Sequence, residues 1–213
     1  SPTSILRSED LVMTKSKISE IAKTITHEEI NLLPLGAYEG TIELITDPKE
    51  LPAAFKEIQK SKVVGFDTET RPSFKKGQVY NVSLIQLALD KKVFVIRLNH
   101  TGVTNDMVPF LESQKIIKPG IGIRDDVRLL QKLKHFHPEG FFELTNLSKE
   151  VGFEVESVKK LTALLLGFRI SKTAQTSNWE AEELTDKQLQ YAATDAWVCL
   201  QIYKKLNAIR VKQ

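Results

Sequence analysis

The most informative stretch of this chain is a short apolar run that ends in two acids. Residues 63–66 contain no polar side chain, so both faces of a strand there would be apolar. Asp67 and Glu69 follow directly. This pattern predicts a central β-strand that is covered on both sides, as in α/β proteins. Because side chains two apart on a strand point the same way, Asp67 and Glu69 should project together from its C-terminal end. On its own, the pair is equally well explained by a solvated loop after the strand.

Hydrophobic periodicity along the rest of the chain predicts a mixed α/β order. Further strands are predicted at residues 40–45, 79–89, 92–98, 116–121 and 141–144. Helices are predicted at residues 26–33, 47–58, 106–112, from 125 onward, 146–151, 157–166 and 185–209. The short Asp90–Lys91 connection predicts an antiparallel hairpin. Together these elements predict an α/β fold, a mixed five-stranded sheet with helices on both faces.

The last predicted helix places an acid on an apolar stripe. Tyr191 and Asp195 are four residues apart, so they share one helix face, which continues as Val198 and Ile202. The other face is apolar as well, which predicts a helix that is buried on two sides. An unpaired carboxylate is costly in that position. A cap or a pairing with a surface cation is the structural alternative.

A third acidic position lies where a glycine-containing strand meets a helix. Asp125 and Asp126 follow Gly122, and the helix dipole alone favours acids at such a point. Asp126 is the preferred candidate because Val127 and Leu130 then fall on the buried side of the helix. Asp125 remains the rival.

These acids can converge on one spot through folding. Four carboxylates there would repel one another strongly unless divalent cations balanced them. Mg²⁺ or Mn²⁺ suits carboxylate ligands better than zinc does. Two such ions about 3.5–4 Å apart are the arrangement used for in-line displacement at phosphorus. The acids that could converge are Asp67, Glu69, Asp195 and an acid of the strand–helix junction, Asp126 or Asp125.

Composition limits the remaining possibilities. The chain has 213 residues, a net charge of +3 and a pI near 8.8, which permits a polyanionic partner without requiring one. The single Cys199 rules out an internal disulfide framework and predicts a reducing, cytoplasmic environment. No run is apolar and long enough to predict a membrane span. We expect residues 1–39 to form a tail with a short helix, and residues 40–213 to form one domain, acting as a monomer.

Three motifs occur in order, Phe-Asp-Thr-Glu from residue 66, Gly-Ile-Arg-Asp-Asp from residue 122 and Tyr-Ala-Ala-Thr-Asp from residue 191. They resemble the motifs of the DEDDy 3′–5′ exonucleases, and the similarity is greatest to the RNase D and Werner-type exonuclease domains. Val-Ser-Leu-Ile-Gln-Leu-Ala from residue 82 and Ser-Asn-Trp from residue 177 extend the resemblance to about residues 40–208.

The resemblance implies an RNase H-like fold and removal of 5′-nucleotides one at a time from a 3′ end. It further implies two metals held by four ligands, one metal activating the attacking water and the other stabilising the departing 3′ oxygen. These metal ligands would be Asp67, Glu69, Asp126 and Asp195. Tyr191 would orient that water. Whether the nucleic-acid substrate is DNA or RNA stays open. The alternative is a non-catalytic nucleic-acid-binding or protein-recruiting module on the same fold.

A loop after the acidic strand supplies further candidates. Arg71, Lys75 and Lys76 could contact a nucleic-acid backbone or simply be solvated. Phe74 could stack on a base, but hydrophobic packing is the favoured interpretation. Trp179 is predicted to brace the loop that leads into the last helix.

Overall fold

A computed structural model describes residues 21–212 of the chain. The strands among these residues are β1 (Thr41–Ile45), β2 (Gly65–Thr70), β3 (Val82–Ala88), β4 (Lys92–Arg97), β5 (Lys118–Gly120) and β6 (Phe141–Glu143). The helices are α1 (His27–Asn31), α2 (Leu51–Ile58), α3 (Leu98–Thr101), α4 (Val108–Leu111), α5 (Ile123–Leu133), α6 (Leu144–Glu150), α7 (Val158–Leu166) and α8 (Asp186–Lys212). A 3₁₀ turn, Pro48–Glu50, precedes α2.

The main sheet has four strands in the order β1-β4-β3-β2. Strand β3 pairs with both β2 and β4 in antiparallel orientation, and β1 pairs with β4 in parallel. The predicted hairpin between β3 and β4 is therefore confirmed, and so is the mixed character of the sheet. A separate parallel pair is formed by β5 and β6.

The predicted count of five strands in one sheet is wrong. β5 meets the chain just before β2 through a single bridge between Val63 and Ile117. Ile117 accepts a hydrogen bond from the Val64 amide and donates one to the Lys62 carbonyl, both at 2.9 Å. The ladder stops there because Pro119, the next residue in register, has no amide hydrogen to donate.

Helices cover both faces of the sheet, as the sequence predicts. One hydrophobic core contains Phe66 and Phe94 of the sheet with side chains of α2, α4 and α5. The other contains Leu84 and Val95 with side chains of α6, α7 and α8. Every residue from 191 to 203 in α8 is buried, so this helix runs through the interior.

Gly65 explains how closely α8 approaches β2. A Cβ atom added at Gly65 would lie 2.2 Å from the carbonyl oxygen of Ala196 in α8. Only a residue without a side chain fits there. Because Asp67 follows two positions later on the same face of β2, this close approach also brings α8 beside the acid pair.

The region before β1 is partly described. Thr26 and Glu29 form the predicted capping box at the start of α1. Further on, the Tyr38 amide donates to Thr194 Oγ1 in α8 at 2.9 Å. The predicted tail falls largely on residues 1–20, which lie outside the described residues, and the division at residue 39 stays a prediction. Within residues 21–212, no helix is both long and apolar enough to cross a membrane.

Candidate active site

Asp67 and Glu69 lie inside β2, on the face that α8 covers. Asp67 is opposite Gln86 of β3, and Glu69 is opposite Leu84. Asp195 of α8 comes close to both acids, since one carboxylate oxygen from each of the three lies within 4.8 Å of the others. Asp195 is only 8% exposed. The structure therefore gathers three of the four predicted metal ligands at one point.

Asp126 lies beside this group, although it is not one of the three within 4.8 Å. Thr68 Oγ1 donates a hydrogen bond to Asp126 Oδ1 at 2.8 Å, which ties the start of α5 to the middle of β2. The negative charge of Asp126 contributes to raising the pKa of Asp67. Asp125, the rival, is exposed to solvent. The preference for Asp126 thus agrees with the geometry, while its role as a ligand stays a prediction.

Glu143 fixes the position of the helix that carries Asp126. Its Oε1 accepts hydrogen bonds from the amides of Gly122 and Ile123, at 2.8 and 3.1 Å. Gly122, at the N-cap of α5, has a φ of 72°, which favours glycine. The helix consequently begins at Ile123, two residues before the predicted start.

Tyr191 is held between an aromatic ring and the acids. Its ring stacks on Trp179, with centroids 6.2 Å apart and an interplanar angle of 27°. Its hydroxyl is within hydrogen-bonding reach of Asp195. Burial, followed by the charges of Asp195 and Glu69, raises the pKa of Tyr191 well above its ordinary value. The phenol is therefore protonated at neutral pH.

The loop around Trp179 is anchored from the sheet. The Arg97 guanidinium at the end of β4 donates to the carbonyl oxygens of Glu182, at 2.9 Å, and Ala181. Trp179 itself is completely buried. Its predicted bracing role stays a prediction, and its ring contact with Tyr191 helps to orient the phenol.

Burial makes the acid pair on β2 difficult to ionise. It is the largest cause of the raised pKa of Asp67, and the charges of Asp195 and Asp126 add to it. Burial likewise raises the pKa of Glu69 to about 11, with further contributions from Asp67 and Asp195. Without a cation, Glu69 holds a proton at neutral pH.

The other two acids are shifted less. Burial raises the pKa of Asp195 to about 6, but a hydrogen bond with Glu69 and the positive charge of Lys159 oppose the rise. Burial raises the pKa of Asp126 to about 7, and the hydrogen bond from Thr68 opposes it. Both acids therefore titrate close to neutrality.

Two residues of this site were not singled out from the sequence. Gln86 donates through Nε2 to the Ala192 carbonyl at 3.0 Å and to Glu69 Oε1 at 3.4 Å, which joins β3, α8 and the acid pair. A lone amide inside an apolar strand was the available signal. Lys159 of α7 places its charge near Asp195, but nothing in its local sequence distinguishes it from an ordinary surface lysine.

The loop after β2 differs from its favoured interpretation. Phe74 is 87% exposed, so the prediction that it packs in the interior is wrong. The physical reason is that residues 73–79 are all exposed and offer it no apolar partner. Arg71 lies over the ring of Tyr80 at 4.7 Å and pairs with Glu180 at 3.4 Å.

The side chains at this site suit a hard divalent cation. The donors are carboxylate oxygens, which Mg²⁺ and Mn²⁺ prefer, and they come from separate elements that folding brings together. Among the described residues, no Lys or Arg forms an ion pair with Asp67, Glu69 or Asp195 within 4.0 Å. Partly buried acids without such partners ionise readily only when another source of positive charge lies close to them.

The chain is similar to curated proteins that carry exonuclease names. It is 35% identical over 156 residues to the bifunctional 3′–5′ exonuclease/ATP-dependent helicase WRN of Mus musculus, covering 70% of this chain and 11% of that protein. It is 33% identical to a 3′–5′ exonuclease of Arabidopsis thaliana, covering 68% of this chain and 52% of the relative. The chain therefore spans about half of these relatives' length at most.

Solved structures show the same fold. The EXO domain of Aedes aegypti Nibbler superposes with a TM-score of 0.72 at 24% identity, covering 84% of this chain and 93% of that one. Escherichia coli RNase D gives a TM-score of 0.73 at 20% identity, covering 80% and 46%. These similarities confirm the predicted RNase H-like fold class. A family model described as 3′–5′ exonuclease matches residues 42–209, and the chain belongs to this 3′–5′ exonuclease family.

Proposed function

We propose that this chain hydrolyses phosphodiester bonds from the 3′ end of a nucleic-acid strand and releases nucleoside 5′-monophosphates. The observation that carries this proposal is the convergence of Asp67, Glu69 and Asp195 within 4.8 Å, with Asp126 alongside. Family membership supports the reaction class. The order of the three motifs and the position of Tyr191 beside Asp195 favour the DEDDy type.

In this proposal the four acids would hold two Mg²⁺ or Mn²⁺ ions. The chemistry that such ions supply is Lewis acidity toward the scissile phosphate and the attacking water. Tyr191 would donate or accept a hydrogen bond that orients the water, because its raised pKa prevents it from acting as the base. Trp179 would keep the phenol in place through the stacking contact.

The substrate is proposed to be a single-stranded 3′ end. Two structural neighbours support a nucleic-acid ligand, since Trypanosoma brucei RNase D is solved in complex with RNA U12 and Brucella melitensis NrnC is solved bound to pGG. Metal chemistry at phosphate is indifferent to the sugar, so we propose both DNA and RNA as substrates. Action as a monomer in the cytoplasm stays a prediction.

The test is digestion of matched DNA and RNA single strands that carry a 5′ label, with Mn²⁺ present. We expect products that shorten stepwise from the 3′ end, together with free 5′-monophosphates. Asp67→Asn and Asp195→Asn should abolish cleavage without loss of the circular dichroism spectrum. Full-length strands after long incubation, with binding retained, would instead identify a non-catalytic binding module.

A further inference from the structure

A second charged feature lies outside the acid cluster. A cavity of about 450 Å³ is formed by α1, the start of α7 and residues 169–173. Its lining includes four cations, and we call it the cationic cavity. These cations are Lys159, Lys160, Arg169 and Lys172. His27 of α1 also lines it, and none of its described lining residues is acidic.

Two of these cations occupy an electrostatically unfavourable position. Lys159 and Lys160 lie in the first turn of α7, where the positive end of the helix dipole disfavours cations. Lys172 lies close enough to Lys159 for their charges to repel, and this repulsion adds to burial in lowering the pKa of Lys159, while the charge of Asp195 opposes the change. Lys159 Nζ donates to Gln175 Oε1 at 2.8 Å, which is a neutral partner. An anion in the cavity would relieve each of these costs.

The cationic cavity adjoins a second cavity that reaches Tyr191. A neighbouring cavity of about 280 Å³ is lined by Tyr191 and Thr194 of α8. It shares Ile170, Ser171 and Thr173 with the cationic cavity. A strand whose 3′ end lies at Tyr191 could therefore extend into the cationic cavity without leaving the surface.

We propose that the cationic cavity binds one nucleotide unit of the substrate strand, with a phosphate on Lys160 and Lys172. Its volume falls within the range of small-ligand pockets. Apolar lining from Ile30 and Ile170 suits the nucleoside part. The wall formed by α1 lies before residues 42–209, which the family model matches. The inference rests on the proposed function and names where its substrate binds.

The salt dependence of binding tests this inference. Binding of a 5′-fluorescein oligouridylate is followed by anisotropy in EDTA at several KCl concentrations, so that cleavage plays no part. For the double variant Lys160→Gln, Lys172→Gln we expect the slope of log Kd against log salt to fall by roughly 0.7, since the variant loses one single-strand phosphate contact. Affinity at low salt should fall about tenfold.

A matched double variant controls for net charge. Lys60 and Lys91 are exposed and lie at the end of the β2–β3 pair opposite Glu69. Lys60→Gln, Lys91→Gln should leave the slope unchanged. Equal slopes for the two double variants would overturn the inference. Competition by inorganic phosphate as effective as that by the oligouridylate would also overturn it, because the cavity would then hold a free anion.

This outcome can be separated from that of the proposed function. Cleavage by the wild-type chain together with equal slopes would refute the cationic cavity alone. Binding with the expected change in slope, but no cleavage in Mn²⁺, would refute the proposed hydrolysis and retain the nucleotide subsite.

Discussion

Asp195 combines a buried position with three interacting side chains. It is surrounded by apolar residues of α8, yet it lies close to Asp67 and Glu69 and within hydrogen-bonding reach of Tyr191. A buried carboxylate in a group of carboxylates destabilises a folded protein unless something compensates for its charge. A function that requires the charge is the simplest physical reason for its presence.

Tyr191→Phe tests the role of the phenol at this scale. Removing one hydrogen bond to the attacking water should slow cleavage about tenfold, which corresponds to roughly 1.4 kcal/mol. Binding of Mn²⁺ should be unchanged, because the carboxylates remain. Tyr203→Phe serves as the control, since Tyr203 is buried in the same helix against Phe142. Equal rates for wild type and Tyr191→Phe would remove Tyr191 from the reaction.

At the scale of single residues, the sequence identifies the acids of the site better than the cations near it. Asp126 could be preferred to Asp125 because Val127 and Leu130 mark the buried side of the helix. Lys159 could not be identified, because its proximity to Asp195 depends on how α7 packs against α8. Phe74 was misplaced for a related reason, since apolar character alone does not say whether a loop reaches a core.

Among the elements, α8 and β2 define the site through their close contact at Gly65. The two elements carry Asp195 and Asp67, and a side chain at Gly65 would force them apart. The sequence predicted the burial of both elements, but not the distance between them. That distance depends on a glycine that the apolar pattern of the strand does not distinguish.

Gly65→Ala should therefore damage the site as well as the fold. The added methyl group would clash with the Ala196 carbonyl, so we expect a loss of stability of about 1–3 kcal/mol. The cleavage rate, measured at a temperature below the melting temperature of the variant, should fall more than tenfold, because Asp195 moves away from Asp67.

Gly102→Ala provides the comparison. At Gly102 the φ of 69° strains an alanine, but an added Cβ has no neighbour within 4 Å. This variant should lose stability and still cleave. A Gly65→Ala variant that cleaves at the wild-type rate would show that the α8–β2 distance does not matter to the reaction.

For the whole molecule, the two hydrophobic cores on either side of the sheet position the acids. The order of strands and helices predicted helices on both faces of the sheet, and the short Asp90–Lys91 connection predicted the antiparallel hairpin. Neither feature could predict that β5 and β6 would form their own small sheet, because this depends on the missing amide hydrogen of Pro119. The convergence of the acids on one spot was predicted from the motifs, and the structure supplies the distances.

The central claim is that the gathered carboxylates form a binding site for divalent cations, and melting temperature tests it across pH. Folding raises the pKa of Asp195 to about 6 and that of Asp126 to about 7. Their contribution to stability is therefore present at low pH and is lost as pH rises through 6–7. In EDTA, the melting temperature of the wild-type chain should fall when the pH is raised from about 5 to about 8. This fall should be several degrees larger than the fall measured for Asp195→Asn over the same pH range.

Mn²⁺ should reverse this loss, and should do so more strongly at about pH 8, where fewer protons compete for the carboxylates. The predicted result is a melting temperature at high pH that rises with Mn²⁺ in the wild-type chain and changes little in Asp195→Asn. An equal response of both chains to Mn²⁺, or no response of either, would contradict the claim.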